Sequence, residues 1–361
     1  GHFRPASWDE ALQRVAEGLQ GIAQNYGGDA IGFIGSSKAS NEEAYLAQKI
    51  ARLIFGTNNV DNSSRYCQNP ATEGLFRTVG YGGDAGTIED LQQTDLIVLV
   101  GSNLAENHPV IASHIKQSHK HRGQKLLVVD PRRHEMAERA DCYLRIRPGT
   151  DLVWASAMAK YMFDHGYADE AFLAQRVNQV DEYRASLAPF TLAFASETCG
   201  LSESELIEAA EMIGQAGSAC VLWAMGITQH SHGADTSTAL SNLLLVTGNY
   251  GRPGTGGYPM RGHNNVQGAS DFGCLSNLYP GYEKVTDPAV REKWARAWGV
   301  SPEALSDQPG ADNFKMVQQA GEGKIRAMYI TGEETAFADA DATSVHTAFS
   351  KLEFMVVQDI F

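Results

Sequence analysis

Two side chains in this sequence have the types and surroundings that do chemistry. Cys67 lies in "DNSSRYCQNPATEGL", a short polar stretch in which Gln68, Asn69 and Pro70 follow the thiol and Arg65 precedes it. A lone cysteine is ordinarily a small buried apolar residue, but a nearby cation favours the thiolate that binds metals or attacks substrates. Arg261 lies in "PMRGHNN", with His263 two residues on. Its planar fork of donors suits a carboxylate held at two points, though read alone it is more often a surface arginine bonded to loop carbonyls. Cys220 and Cys142 read as core or strand residues, and Cys199 and Cys274 as packing. His114, His119 and His121 read as a solvated helix face, while His230 and His232 flank a strand end as capping or site residues. No HExxH, zinc-type Cys/His spacing or nucleophile elbow is present.

These residues need a scaffold, and the apolar runs supply one. "AIGFIGSS", "DLIVLVGSN", "KLLVVDPR", "ACVLWAMG", "AMYITGEE" and "FMVVQD" each end abruptly in small or polar residues and alternate with helical patterns. Near-continuous apolar strands of this kind belong to parallel sheets covered on both faces. The expected fold class is therefore α/β, doubly wound. Helices are expected over 8–26, 41–55, 150–165, 202–215 and 236–247. Ser7 with Glu10 and Ser202 with Glu205 form capping boxes, and the apolar stripes are Leu12, Val15, Leu19 and Ile22 in the first helix and Tyr45, Ile50, Leu53 and Ile54 in the second. Glycine-rich interruptions at Gly80 to Gly86 and Gly248 to Gly273 read as irregular loops, the second rich in polar side chains.

Open α/β sheets bind ligands beyond the carboxyl ends of their strands. Here those positions hold Gly101, Ser102 and Asn103; Asp130, Pro131 and Arg132; Met225, Gly226 and Gln229; Gly332 and Glu333. Small residues admit a ligand to the backbone, and acidic ones can take a ribose hydroxyl or the N1 and N2 donors of guanine. The pattern suits a nucleotide-type ligand or plain strand-end turns, since neither GxGxxG nor a Walker A motif is present.

Bulk composition narrows the class. The chain has 361 residues, enough for two domains, with 43% hydrophobic and 20% charged residues and no apolar run of membrane-spanning length. Acidic residues outnumber basic ones by 43 to 29, which excludes a nucleic-acid footprint. Five scattered cysteines without a CxxC pair argue against a disulfide framework and for a reducing, cytoplasmic setting. The start at Gly1 and the strand-like end read as a fragment of a longer polypeptide.

A set of motifs in order along nearly the whole chain carries a family resemblance: "SWDEAL", "NEEAYLAQKIAR", "GTNNVD" leading into Cys67, "EDLQQTDLIVLVGSNLAENHP", "VVDPRR", "RPGTDL", "LWAMGITQH", "LLLVTGNYGRPGTGGYPMRGHNNVQGASDFG", "YPGY", "YITGEE" and "VVQDIF". The chain resembles the catalytic subunits of molybdenum- or tungsten-dependent formate dehydrogenases, within the dimethyl sulfoxide reductase family of molybdopterin enzymes. The resemblance implies two nested Rossmann-like αβα domains, residues 1–62 with 263–361 and an inserted 63–262. It implies two molybdopterin guanine dinucleotides chelating one Mo or W, with Cys67 as the protein's metal ligand and Arg261 holding formate. Gly101, Asn103, Glu106, Asp130, Arg132, Gly149, Asp151, Met225 and Gln229 resemble residues lining one dinucleotide, and Gly332 and Glu333 are assigned to the other. It also implies an amino-terminal [4Fe–4S] domain and a carboxy-terminal cap outside this chain, and an electron-accepting partner subunit. One departure stands out: Gln68 occupies the place where family members active on formate carry His. We therefore expect Gln68 to orient substrate or cofactor and His263 to handle any proton. Another small oxyanion, an oxo-transfer substrate, or a cofactor-free scaffold role in a respiratory complex are the alternatives.

Overall fold

The computed structural model describes residues 2–360. Among them are strands β1 (Ile31–Gly35), β2 (Val60–Asn62), β3 (Leu96–Val100), β4 (Lys125–Val129), β5 (Cys142–Leu144), β6 (Ala219–Trp223), β7 (Gly256–Pro259), β8 (Leu278–Tyr279), β9 (Glu283–Lys284), β10 (Ala327–Thr331) and β11 (Phe354–Gln358). The chain divides into two compact units, Gly1–Arg65 with His263–Phe361, and Tyr66–Gly262. The first break lies three residues beyond the expected 62/63 boundary. The 3-10 turn Ser63–Arg65 stays with the first unit, where Arg65 forks onto Asp61 at 2.8 and 3.0 Å.

In the second unit five parallel strands run in the order β5-β4-β3-β6-β7. Alternation along β3 sends Leu96, Val98 and Val100 into one core with Trp154, Met158 and Leu240, and Ile97 and Leu99 into the other with Ala112, Ile115 and Met136. Both faces are thus buried, which explains why β3, β4 and β6 are apolar at nearly every position. The first unit repeats the scheme with parallel order β11-β10-β1-β2. Ile31 and Phe33 pack on one side with Leu19 and Ala51, and Met328 and Ile330 on the other with Met316 and Val345. The α/β class with parallel sheets holds.

Several local expectations need correction. Ser7 accepts the Glu10 N–H at 3.2 Å, but the Glu10 carboxylate pairs with Arg4 rather than closing a capping box. Ser40/Glu43 and Ser202/Glu205 do form complete boxes. Leu12 is exposed, and on the helix Asn41–Ile54 the buried face is Ala44, Gln48, Ala51 and Arg52 while Ile50 and Ile54 face solvent. The Cys67 stretch is a turn leading into a helix, Asn69–Thr78, with Pro70 in its first turn, where the missing N–H costs nothing. The glycine-rich segment after Gly248 contains β7 and a helix, Val266–Asp271.

Candidate active site

The turn before helix Asn69–Thr78 sets Cys67 into the second unit, where it is 8% exposed. Burial pushes its thiol pKa up, and two things oppose that: the backbone N–H of Gly262 and the positive charge of Arg261. The charge acting on the thiol comes from Arg261; Arg65, to which sequence reasoning gave this part, is ion-paired with Asp61. Arg261 is half-buried and donates Nη2 to the Gly82 carbonyl at 2.9 Å. That carbonyl also accepts Thr72 Oγ1 at 3.3 Å, and Thr72 Oγ1 in turn accepts Gln68 Nε2 at 2.9 Å.

Cys67, Gln68 and Arg261 share a cavity of about 10 Å³, room for one water, with Trp223, Met225 and Thr228. Trp223 Nε1 and Thr228 Oγ1 are shielded from solvent without a hydrogen-bond partner. Such atoms are costly unless something small and polar meets them.

Met225 and Ala224 also line a second, larger space of about 300 Å³. It lies at the ends of β3 and β6, where the strand order reverses, the position at which doubly wound sheets bind ligands. Of the expected dinucleotide residues, Gly101, Asn103, Asp130, Arg132, Gly149, Asp151 and Met225 line it. Glu106 and Gln229 are exposed and stand outside that lining. Ser102, a strand-end position expected from sequence, also lines it, while sequence reasoning missed His134, which is 8% exposed with Nε2 3.7 Å from Asp130 Oδ2. Ser102 Oγ, both amide atoms of Asn103 and both ring nitrogens of His134 are buried without hydrogen-bond partners. Asp130 Oδ1 caps the Arg132 N–H at 2.8 Å, so the buried carboxylate shapes the turn that carries the arginine to the surface. Asp151 is pushed up to about 6, chiefly by burial; its own backbone N–H and His230 act against this, and Asp130 adds to it. The crevice therefore offers donors, acceptors, two carboxylates and a guanidinium, which suits a ligand bearing both amide-like donors and phosphates.

The first unit has its own strand-order reversal, between β1 and β10. There Ser36 Oγ donates to the Gly332 carbonyl at 2.8 Å, and Gly332 takes the left-handed φ of 59° that the tight turn requires. Glu333 follows. Thr335 Oγ1 donates to Glu333 Oε1 at 3.2 Å, while Oε2 is buried without a partner. Burial raises this carboxyl to about 8, with Asp339 and Asp61 adding to the rise. His263 belongs to this unit. Its Nδ1 is shielded and unpartnered, and burial, then the charge of Lys38, lower its pKa. Ser36 and Lys38 were not singled out from sequence; the signal available was "GSSKAS" after a strand. Among the described residues no group of three or more His, Cys, Asp or Glu side chains is arranged to hold a metal.

A family model described as molybdopterin oxidoreductase matches residues 1–361. The chain belongs to the molybdopterin oxidoreductase family. Molybdopterin oxidoreductases carry a molybdenum or tungsten pterin cofactor, so the crevice and the Cys67 cavity are the places to test against it. The chain is 57% identical over 360 residues to "Probable oxidoreductase YjgC" of Bacillus subtilis, and 53% identical over 361 residues to "Putative formate dehydrogenase YrhE" of the same organism. It is 54% identical over 361 residues to "Putative formate dehydrogenase SAS2201" of Staphylococcus aureus. All of this chain is covered in each case, and it spans 36% of each relative's length. Acetylene hydratase from Pelobacter acetylenicus has a similar fold, with a TM-score of 0.76 and 21% identity over 99% of this chain and 50% of that one. Among the described residues no helix is long and apolar enough to cross a membrane.

Proposed function

We propose that this chain is the central part of a formate dehydrogenase that holds Mo or W on two molybdopterin guanine dinucleotides, and that its two units are the two nested αβα domains of that enzyme. The observation that carries the proposal is the pairing of Cys67 and Arg261 on one small cavity, joined through Met225 to the nucleotide-sized crevice. A shielded thiol beside a guanidinium fits a soft metal that needs a single sulfur donor. The unpaired Ser102, Asn103 and His134 atoms fit a polar ligand that would satisfy them.

The metal–pterin group, when bound, would supply a two-electron acceptor for the conversion of formate to CO₂ and a proton. This chain's residues do the rest. Cys67 would ligate the metal. Arg261 would take the formate carboxylate and hold it at that cavity, which converts a collision into an oriented encounter. Asn103, Asp130 and Asp151 would meet the guanine and ribose donors of one dinucleotide, with Arg132 and the glycine turns at Gly101 and Gly149 on its phosphates. Gly332 and Glu333 would serve the other. His263, its charged form disfavoured by burial and by Lys38, would accept the proton. Electrons would then pass one at a time through a [4Fe–4S] cluster outside this chain to a partner redox subunit. Five buried free thiols agree with a cytoplasmic setting. Gln68 in place of a histidine favours a second reading, turnover of another small oxyanion or an oxo-transfer substrate by the same centre.

Metal analysis and formate-dependent dye reduction on full-length protein grown with molybdate or tungstate test this. Metal with formate activity that disappears in Arg261→Ala, at unchanged metal content, is the expected result. Metal without formate activity leaves the second reading; protein without Mo or W overturns both.

A further inference from the structure

Gln68 follows the thiol directly, the place for a base, but a carboxamide cannot act as one near neutral pH. Its surroundings point to different work. Gln68 is 2% exposed and Thr72 4%, and Gln68 Nε2 donates to Thr72 Oγ1 at 2.9 Å. A hydroxyl has one proton to give. Because the amide donates to Thr72, that proton is left for the Gly82 carbonyl, 3.3 Å away, the same oxygen that receives Arg261 Nη2 at 2.9 Å. Packing holds Gly82 as well: a Cβ there would lie 2.6 Å from Thr72 Cγ2 and 2.9 Å from Phe76 Cε2. Gly82 is thus closely packed, and the arginine that bonds its carbonyl shares a cavity with Cys67.

We propose that Gln68 is a positioning residue for Arg261, acting through the Thr72 hydroxyl and the Gly82 carbonyl. The polarity of the chain explains why an amide suits the position. A donor is needed at its head so that Thr72 donates onward, and the carbonyl so oriented aligns a guanidinium that must meet a planar anion at two points. The proposal rests on the reading of Arg261 as the substrate-anion residue.

A double-mutant cycle on the full-length enzyme tests it, with Gln68→Ala, Thr72→Val and the double variant, and with Thr72→Ser as the conservative replacement. Two readouts are taken: steady-state formate oxidation across pH, and the rate at which phenylglyoxal modifies Arg261, followed by peptide mass mapping. Each single variant should raise the KM for formate about fivefold, the size of one neutral hydrogen bond, with kcat and its pH profile unchanged. The double variant should be no worse than either single, because both break the same chain. Arg261 should be modified severalfold faster in all three, other arginines unchanged, and Thr72→Ser should restore both readouts. Additive effects in the cycle, a shifted pH profile in Thr72→Val, or Arg261 labelling at the wild-type rate would overturn the proposal. If the wild-type enzyme leaves formate untouched, the functional reading fails by itself, and the labelling cycle still decides whether Gln68 positions Arg261.

Discussion

Gly226 donates its N–H to the Gly101 carbonyl at 3.2 Å, tying the loop after β6 to the loop after β3 where the strand order reverses. A Cβ on Gly226 would sit 2.6 Å from Gly101 O, and one on Gly101 would sit 2.9 Å from Gly226 C. The floor of the crevice is therefore two backbones in contact, and glycine is required on both sides. Gly226→Ala should cost about 1–3 kcal/mol and lower the thermal midpoint, because the clash is with backbone rather than a movable side chain. In the same assay Gly21→Ala, in the helix Trp8–Tyr26 with nothing within 4 Å of the new methyl, should be neutral or stabilising by up to about 1 kcal/mol.

Asp151 should impose a pH slope on stability. Its carboxyl is raised to about 6 in the folded chain, so between about pH 4 and 6 the native state holds a proton that the unfolded state has released. Stability from this group is full below that window, falls as pH rises through it, and is flat above. Asp151→Asn should remove the slope and be more stable than wild type by on the order of 2 kcal/mol at neutral pH, with no advantage near pH 4. Denaturant melts across the window measure this; an advantage that shrinks with rising pH would reverse the sign and refute it.

Glu333 should act over a higher window. With its pKa at about 8, the carboxyl keeps its proton at neutral pH, and the stability it lends is lost as pH rises from the ordinary glutamate range through 8. Glu333→Gln keeps the size and a donor, so it should match wild type at low pH. Its relative thermal midpoint should then climb with pH and level off above about 8.

Arg52 should be the costliest surface-type residue to remove, because it is 1% exposed. Its guanidinium donates to Asn58 Oδ1 (2.8 Å), Gln48 Oε1 (2.5 Å) and the carbonyls of Gly273 (2.9 Å), Leu275 (2.7 Å) and Leu278 (2.9 Å), and lies over the Tyr279 ring. Burial lowers its pKa to about 10, which still leaves it charged at pH 7. Arg52→Met would take the guanidinium from three carbonyls, of which Leu275 keeps only a 3.4 Å bond from the Leu278 N–H, and should destabilise the chain by about 3–5 kcal/mol, read as a lower denaturation midpoint. A loss below about 1 kcal/mol would mean that water replaces the fork.

The limits of sequence reasoning follow from which interactions are local. Six strands were legible because each carries an apolar run, a property of about five consecutive residues; burial on both faces demands that run in β1, β3 and β6, whereas β11 keeps it although Met355 and Val357 are exposed. β7 was not: Gly256, Gly257, Tyr258 and Pro259 carry no strand pattern, and they extend because they pair in register with Cys220 to Trp223. Arg52 carried no signal in the sequence, because nothing near it announces three carbonyl acceptors more than two hundred positions away.

By itself the sequence determined the parallel α/β class, the strand ends where ligands can meet backbone, and the prominence of Cys67 and Arg261, since these rest on residue type and short-range spacing. Only the tertiary structure decided what surrounds them. Arg261 finds its anchor at Gly82, 179 residues away, and the cation acting on Cys67 is this distant arginine, while neighbouring Arg65 is held by Asp61. Hydrogen bonds and charge effects fall off within a few ångströms, so they follow proximity in space, which chain order does not reveal.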